Sequence, residues 1–144
     1  MTVEYNAGIE KWLSQVEADL KAVARQSAYT LAFDVVTSTP VDTGFLRGSW
    51  QPSIGDIPLA KQGVALDPGG ALAMADFAVQ VETLELGSTI YYTNACAYAR
   101  RIEYGFVGMD SLGRNYNQAG RFYVTNNVKR WPAIVEATAK GLAA

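Results

Sequence analysis

The sequence predicts an α+β fold in which a long N-terminal helix and a C-terminal helix pack on a small antiparallel β-sheet, with a short helix and a long loop. Apolar residues repeat at helical spacing near both ends of the chain, whereas two segments between them have the pattern of strands. The 144 residues are 49% hydrophobic and 18% charged, which is typical of a globular domain. We therefore expect one domain over 1–144.

The first predicted element is a helix from Ala7 to Ser38, preceded by a short tail over 1–6. Its C-terminal part is apolar nearly all round, so we expect that end to be buried by the rest of the domain or by another subunit. Pro40 disfavours helical geometry in the preceding residue and ends the helix near Thr39. The stripe that predicts this helix repeats at alternating steps of four and three: Ile9, Leu13, Val16, Leu20, Val23, Ser27 and Leu31.

A turn and a strand follow the first helix. Thr39 to Gly44 has turn chemistry, and Phe45 to Ile54 can run as a strand with Leu46 and Trp50 on its apolar face and Arg47 on its polar face. Asp42 or Thr43 can satisfy backbone N–H groups at this corner, and Gly44 can supply a positive φ. The Gly/Pro-rich residues 55–70 form a connection in which 64–66 could be a short strand.

The central part of the chain predicts a helix, a strand and a second, shorter helix. The helix covers Ala71 to Leu84, although the alternation of Phe77, Val79 and Val81 would also suit a strand. The strand covers Thr89 to Thr93, and Asn94 is the expected N-cap of a short helix from Ala95 to Tyr104. Gly105 is expected in the left-handed position that closes this short helix. The expected buried stripe of the helix over 71–84 is Leu72, Ala75, Val79 and Glu82.

The last third of the chain predicts an exposed loop and a helix. Residues 106–121 are rich in Gly and Asn and have the length at which loops in compact domains are usually functional. Pro132 either starts the C-terminal helix at its first turn or kinks it. That helix is predicted from the spacing of Val128, Trp131, Val135, Thr138 and Leu142.

The composition argues against several kinds of chemistry. The chain has no His and a single Cys, so an imidazole base, a His-containing metal site and an internal disulfide are excluded. No apolar run reaches the roughly 20 residues that span a bilayer, and residues 1–7 do not resemble a signal peptide. We therefore expect a soluble protein that is made in a reducing cytosol.

Charge is distributed unevenly along the chain. Residues 1–96 carry 5 Lys/Arg against 11 Asp/Glu, whereas residues 97–144 carry 7 against 3. The acidic part of one copy could dock on the basic part of the next, which suits a head-to-tail ring or filament. The alternative is that both parts face solvent in one small domain. A nucleic-acid binder would usually be basic overall, and the net charge here is −2.

No residue set predicts catalysis, a cofactor or a metal. Cys96 lies between two alanines and is expected to be a buried structural thiol. The acidic pairs are explained more simply as solvated faces and caps, and no phosphate-binding loop is present.

The short helix carries the most informative surface residues. Arg100 and Tyr104 are four residues apart, and Arg100 can also reach Glu103. Together with Arg101, they suit a protein interface, where Arg and Tyr are enriched as anchors. An ordinary amphipathic helix with a solvated Arg pair explains the same pattern equally well.

Two segments resemble the paired signatures of tailed-phage neck and tail-completion proteins, which are minor tail components that join head to tail. The first has the form Pro-Val-Asp-Thr-Gly-x-Leu-Arg-x-Ser, and the second has the form Asn-x-x-x-Tyr-Ala-x-x-x-Glu-Tyr-Gly. Two departures are Ala97, where many relatives have Pro, and Cys96, which is outside the pattern. The matched residues are Pro40, Val41, Asp42, Thr43, Gly44, Leu46, Arg47 and Ser49, then Asn94, Tyr98, Ala99, Glu103, Tyr104 and Gly105.

The resemblance implies a structural virion protein with an α+β fold and no enzyme activity. It implies a ring of six copies in the neck, between the head connector or stopper and the tail terminator or tail tube, through which DNA passes without specific binding. The expected location is the virion, and the host cytoplasm during assembly. Within that ring, Arg47 is expected to meet a carboxylate of its own or a neighbouring subunit. The short helix over 98–105 and the loop over 106–121 are expected to contact other subunits or neighbouring proteins.

A second hypothesis belongs to another class of protein. A small monomeric binding or regulatory module could use the surface of Arg100, Arg101 and Tyr104 for one soluble partner. The two hypotheses differ in size and location, because the module would stay monomeric and would be absent from mature particles.

Overall fold

The computed structural model describes residues 2–143, with the side chains of residues 7–143, and has the predicted α+β fold. The helices are α1 (Thr2–Ser38), α2 (Phe45–Gly48), α3 (Ala71–Glu82), α4 (Ala99–Tyr104), α5 (Thr125–Val128) and α6 (Trp131–Ala143). The strands are β1 (Trp50–Ile54), β2 (Ile90–Asn94), β3 (Gly105–Met109) and β4 (Asn115–Ala119).

The long helix α1 has two unlike halves. Its C-terminal half is buried by the rest of the domain at Ala28, Ala32, Val35 and Val36, as the apolar pattern predicts. Its N-terminal half carries the same stripe, yet most of that stripe is exposed to solvent. The helix begins at Thr2, so the predicted tail over 1–6 is wrong for residues 2–6; Met1 lies outside the described residues.

The core lies where the C-terminal half of α1 meets α3 and the first sheet. The Phe77 and Tyr92 rings meet edge to face, with centroids 4.9 Å apart, and the Tyr92 hydroxyl donates a hydrogen bond to the Ala28 carbonyl. Burial of these rings contributes to the hydrophobic stabilisation of the core. The buried members of the main cluster are Ala32, Val35, Val36, Leu46, Trp50, Ala73, Phe77, Cys96 and Tyr123.

The strands form two separate two-stranded antiparallel sheets. β1 pairs antiparallel with β2 from Trp50 opposite Asn94 to Ile54 opposite Ile90. The predicted strand over 45–54 is wrong in its first half, because Phe45–Gly48 forms the helical turn α2. Leu46 and Trp50 are four residues apart, a spacing that puts them on one face of either a helix or a strand, so the pattern could not distinguish the two.

The connection to α3 and α3 itself differ from the prediction in detail. Residues 64–66 form no strand, and the Asp67 carboxylate instead accepts the Ala73 N–H at 3.0 Å near the start of α3. α3 forms as predicted, but it buries Ala73, Phe77 and Val81 instead of the stripe that begins at Leu72. Because α3 is apolar on most sides, packing against α1 and β1 selects the buried face.

The predicted exposed loop over 106–121 is wrong as a description of the backbone. Most of it forms the antiparallel hairpin of β3 and β4, with Gly105 opposite Ala119 and Met109 opposite Asn115. The Asp110 carboxylate closes the turn by accepting the N–H groups of Leu112 and Arg114, each at 2.9 Å. Those bonds and the Arg114 guanidinium, 2.6 Å from the carboxylate, lower the pKa of Asp110.

The C-terminal helix α6 packs along α1. Pro132 is its second residue, so it starts the helix and does not kink it. Ile134 is the buried residue of α6, whereas Val128, Trp131 and Leu142 of the predicted stripe stay partly exposed. Among residues 2–143, no helix is long and apolar enough to cross a bilayer.

Candidate functional site

The first motif forms a tight corner between α1 and β1. Thr39 is buried; its hydroxyl donates to the Val35 carbonyl at 2.7 Å and accepts the Trp50 indole N–H at 2.9 Å. Gly44 has φ of 93°, and a Cβ there would lie 2.4 Å from the Pro68 nitrogen. The expectation that Gly44 supplies a positive φ is confirmed, and close backbone contact adds a second reason for glycine.

The sequence allowed Arg47 to meet a carboxylate of its own subunit, and the described residues place none against it. Its guanidinium donates to three backbone carbonyls, those of Thr37 at 3.0 Å, Thr39 at 2.7 Å and Pro68 at 2.7 Å. The first two carbonyls lie at the C-terminal end of α1, where a helix leaves acceptors unsatisfied and favours a cation. Arg47 therefore joins α1 to the chain before α3, and its expected contact with a neighbouring subunit stays a prediction.

Asn94 joins the second motif to the first. Its Nδ2 donates to the Leu46 carbonyl at 2.8 Å, and its Oδ1 accepts the Cys96 N–H at 3.1 Å. Because α4 begins only at Ala99, the prediction of Asn94 as its N-cap is wrong. Asn94 is the last residue of β2, and its amide satisfies the turn that leaves the strand.

The two motifs line one shallow groove of about 130 Å³. One wall is the corner from Pro40 to Leu46, and the other is formed by Tyr98 and Ile102. Partial burial, the Cys96 side chain and the Asp42 carboxylate raise the pKa of Tyr98 above its ordinary value. At the corner itself, the Thr43 hydroxyl accepts the Phe45 N–H at 3.3 Å. Of Asp42 and Thr43, the two residues expected to satisfy a backbone N–H here, Thr43 does so.

Glu103 is not an interface residue, which corrects the prediction. Its side chain is buried, with a residue exposure of 4%, and it accepts the N–H groups of Val124 at 2.9 Å and Thr125 at 2.8 Å. The Thr125 hydroxyl donates to the same carboxylate at 2.5 Å. Glu103 thus caps α5, and this buried acceptor holds the C-terminal part of the chain against α4.

Gly105 begins the hairpin directly after α4. Its φ is 84°, as expected for a positive-φ position, but its ψ of 171° is extended and not left-handed helical. A Cβ at Gly105 would lie 2.5 Å from the Gln118 carbonyl oxygen, so glycine lets the two strands meet at the base of the hairpin.

Arg100, Arg101 and Tyr104 remain on the surface, as the sequence predicts. The Arg101 guanidinium lies 3.9 Å from the centroid of the Phe106 ring, and Arg100 lies 5.9 Å from that of Tyr104. Tyr104 is 61% exposed and meets the Phe122 ring edge to face, with centroids 6.4 Å apart. We call this patch the Arg/aromatic surface: Arg100, Arg101, Tyr104, Phe106, Arg121 and Phe122.

Phe122 also belongs to this surface, although no pattern in the sequence indicates it. Its φ of 51° is unusual for a bulky residue and costs about 1–3 kcal/mol. The N–H groups of Arg121 and Phe122 hold the backbone in place by donating to the carbonyls of Ile102 at 2.8 Å and Glu103 at 3.0 Å. The strained backbone presents the Phe122 ring to Tyr104.

The remaining candidates are structural. Cys96 is a buried thiol in the core, as predicted. Within residues 2–143, no group of three or more acidic or Cys side chains is placed to hold a metal ion. The two remaining features are the exposed Arg/aromatic surface and the shallow groove where the two motifs meet.

Comparisons of this chain with protein-family models, curated proteins and solved structures give no match.

Proposed function

We propose that this chain is a structural protein of a tailed bacteriophage, a neck or tail-completion component. In this proposal, six copies form a ring between the head connector and the tail, and DNA passes through the ring. The protein acts by assembly and has no enzyme activity.

The observation that carries the proposal is the large surface of the subunit. Its accessible surface is 9,499 Å², whereas a compact monomer of 15.6 kDa has about 7,300 Å². The excess is about 2,200 Å². A standard interface covers about 800 Å² per partner, so contacts with two ring neighbours would use most of it.

The meeting of the two motifs supports the resemblance on which the proposal depends. The motifs are separated by some forty residues in the sequence, yet the Asn94 amide bonds the Leu46 carbonyl and both motifs line one groove. The net charge of −2 also suits a conduit, because each Lys/Arg contact with phosphate would add salt-sensitive affinity for the passing DNA.

The decisive experiment locates the chain in particles. Phage purified from a host that carries the gene would be probed with an antibody to this chain, and its copies per particle counted by quantitative mass spectrometry. We expect about six copies and label at the head–tail junction. A gene deletion should leave filled heads and free tails, and complementation should restore joined particles.

The same experiment distinguishes the second hypothesis. A regulatory module would be absent from purified particles and would sediment as a monomer with one host protein bound. That outcome would replace the ring proposal, whereas the Arg/aromatic surface would remain its expected binding site.

A further inference from the structure

The N-terminal half of α1 has an apolar stripe that the rest of the described chain leaves largely uncovered. We call residues 7–20 the arm. Trp12 is 64% exposed and Leu13 is 47% exposed, and Ile9 and Leu20 are similarly open. Ile9, Leu13, Val16 and Leu20 follow the alternating four and three spacing with which a helix packs against a partner. Single exposed apolar residues are normal on a protein surface, but a contiguous stripe of them is not. The stripe therefore indicates a docking face.

The charges beside the stripe determine what can cover it. Glu10, Glu17 and Asp19 flank the stripe, and all three are exposed. None of them forms an ion pair within residues 2–143. Two arms packed together would bring these carboxylates face to face, which is unfavourable. The charge pattern therefore favours a basic partner surface over a second arm.

The Arg/aromatic surface has the complementary properties. Arg100, Arg101 and Arg121 are exposed and form no ion pair with the described residues. Between them, Tyr104 and Phe122 present partly exposed rings. Three unpaired cations around aromatic anchors match three unpaired carboxylates around an apolar stripe.

One subunit cannot bring these two surfaces together. The α4 region packs against the C-terminal half of α1, since Ile102 and Tyr123 join the cluster of Val35 and Val36. Leu13 precedes Val35 by 22 residues, which is about 33 Å along a helix. The two surfaces therefore lie at opposite ends of the molecule.

We infer that the arm of one copy docks on the Arg/aromatic surface of the next copy. Such a contact is heterologous, so it repeats head to tail and closes into a ring when the rotation permits. The inference deepens the proposed function by naming the subunit contact, and only the closed ring rests on that function.

The test uses two full-length variants that each lose one surface. Leu13→Asp disables the arm, and Arg100→Glu/Arg121→Glu disables the Arg/aromatic surface. In sedimentation velocity, wild type should form species larger than a dimer as concentration rises, and each variant should need a roughly 30-fold or higher concentration to do so. Mixed together, the two variants should form a 1:1 heterodimer and nothing larger, because only one complementary contact remains.

Controls separate docking from folding and from overall charge. Circular dichroism and thermal melting should match wild type for both variants, since the changed side chains are exposed. Lys129→Glu/Lys140→Glu makes the same change in net charge elsewhere on the surface and should assemble like wild type. Adding Glu17→Lys/Asp19→Lys to the Arg100→Glu/Arg121→Glu chain should restore assembly, and molar salt should weaken the wild-type contact.

Three outcomes would overturn the inference: a wild type that stays monomeric at every soluble concentration, an arm variant that assembles like wild type, or an Arg/aromatic variant that still dimerises while the arm variant does not. The last result would assign the contact to arm–arm pairing. Absence of the chain from phage particles would instead reject the proposed function while leaving a measured head-to-tail contact in place.

Discussion

The two halves of α1 carry the same apolar stripe and have opposite surroundings. From Ser27 to Val36 one face of the helix is buried against α3, α5 and α6, whereas the arm is largely in solvent. The spacing of apolar residues is continuous across the boundary between them. The comparison shows that helical periodicity predicts a face that must be covered, without specifying whether the cover comes from the same chain.

The largest difference in the free energy of unfolding should come from placing an Asp in each half of α1. Val36 is fully buried, so Val36→Asp puts a carboxylate into the core and should lower the free energy of unfolding by more than about 4 kcal/mol. Leu13→Asp should change that of the monomer by no more than about 0.5 kcal/mol. Urea unfolding at low protein concentration measures both. Equal losses would mean that the arm is part of the folded core.

A second prediction concerns the corner that anchors the buried half. Gly44→Ala combines a positive φ with a Cβ only 2.4 Å from the Pro68 nitrogen, and we expect a loss of about 2–4 kcal/mol. Gly55→Ala is the matched control, because its φ is also 93° but a Cβ there meets no atom within 4 Å. The difference between the two isolates the close contact; similar losses would indicate that only the backbone conformation matters.

A third prediction tests Glu103 as a cap and not as an interface residue. Glu103→Gln replaces one carboxylate oxygen that accepts hydrogen bonds and should cost about 1–3 kcal/mol of unfolding free energy. Glu136→Gln removes only an exposed pair with Lys140 and should cost at most about 0.5 kcal/mol. Stability unaffected by Glu103→Gln, with assembly lost, would return Glu103 to the interface.

The smallest expected effect on stability near neutral pH comes from the core tyrosines Tyr92 and Tyr123. Burial, with the charges of Glu103 and Cys96 adding to it, raises the pKa of Tyr123 to about 12, and burial also raises the pKa of Tyr92. A raised phenol pKa favours the protonated folded state, so its contribution is complete below pH 10 and decreases as pH rises from about 10 to 12. Denaturant unfolding between pH 8 and pH 12 should show this decline, and Tyr123→Phe should reduce its slope to the part that Tyr92 contributes. A slope identical in Tyr123→Phe and wild type would contradict the assignment.

Much of the fold follows from local pattern, and the errors have identifiable physical causes. The α1 stripe and the strand near Ile90 were predictable because each has a single dominant period. α2 was mistaken for strand because Leu46 and Trp50 share a face in both geometries. On α3, two faces are apolar, and only contact with α1 and β1 selects Phe77 over Val79.

The candidate site was predictable for exposed residues and not for buried ones. Arg100, Arg101 and Tyr104 lie on the surface as their helical spacing indicates. Arg47 and Glu103 instead bond backbone groups from distant segments, at Pro68 and Thr125, and residue type alone carries no sign of those partners. The hairpin was missed because its Gly and Asn content resembles a loop, although Val107, Met109, Asn115 and Asn117 alternate outward along it.

From Ile9 to Ser38, α1 contains neither Gly nor Pro, so the helix has no residue at which it would readily bend. It acts as a stiff lever: a tilt of about 5° at its buried end moves the tip, about 40 Å away, by roughly 3.5 Å. A neighbouring copy that binds the tip would therefore also displace the corner around Thr39. In a growing assembly, the addition of one subunit would then affect the addition of the next.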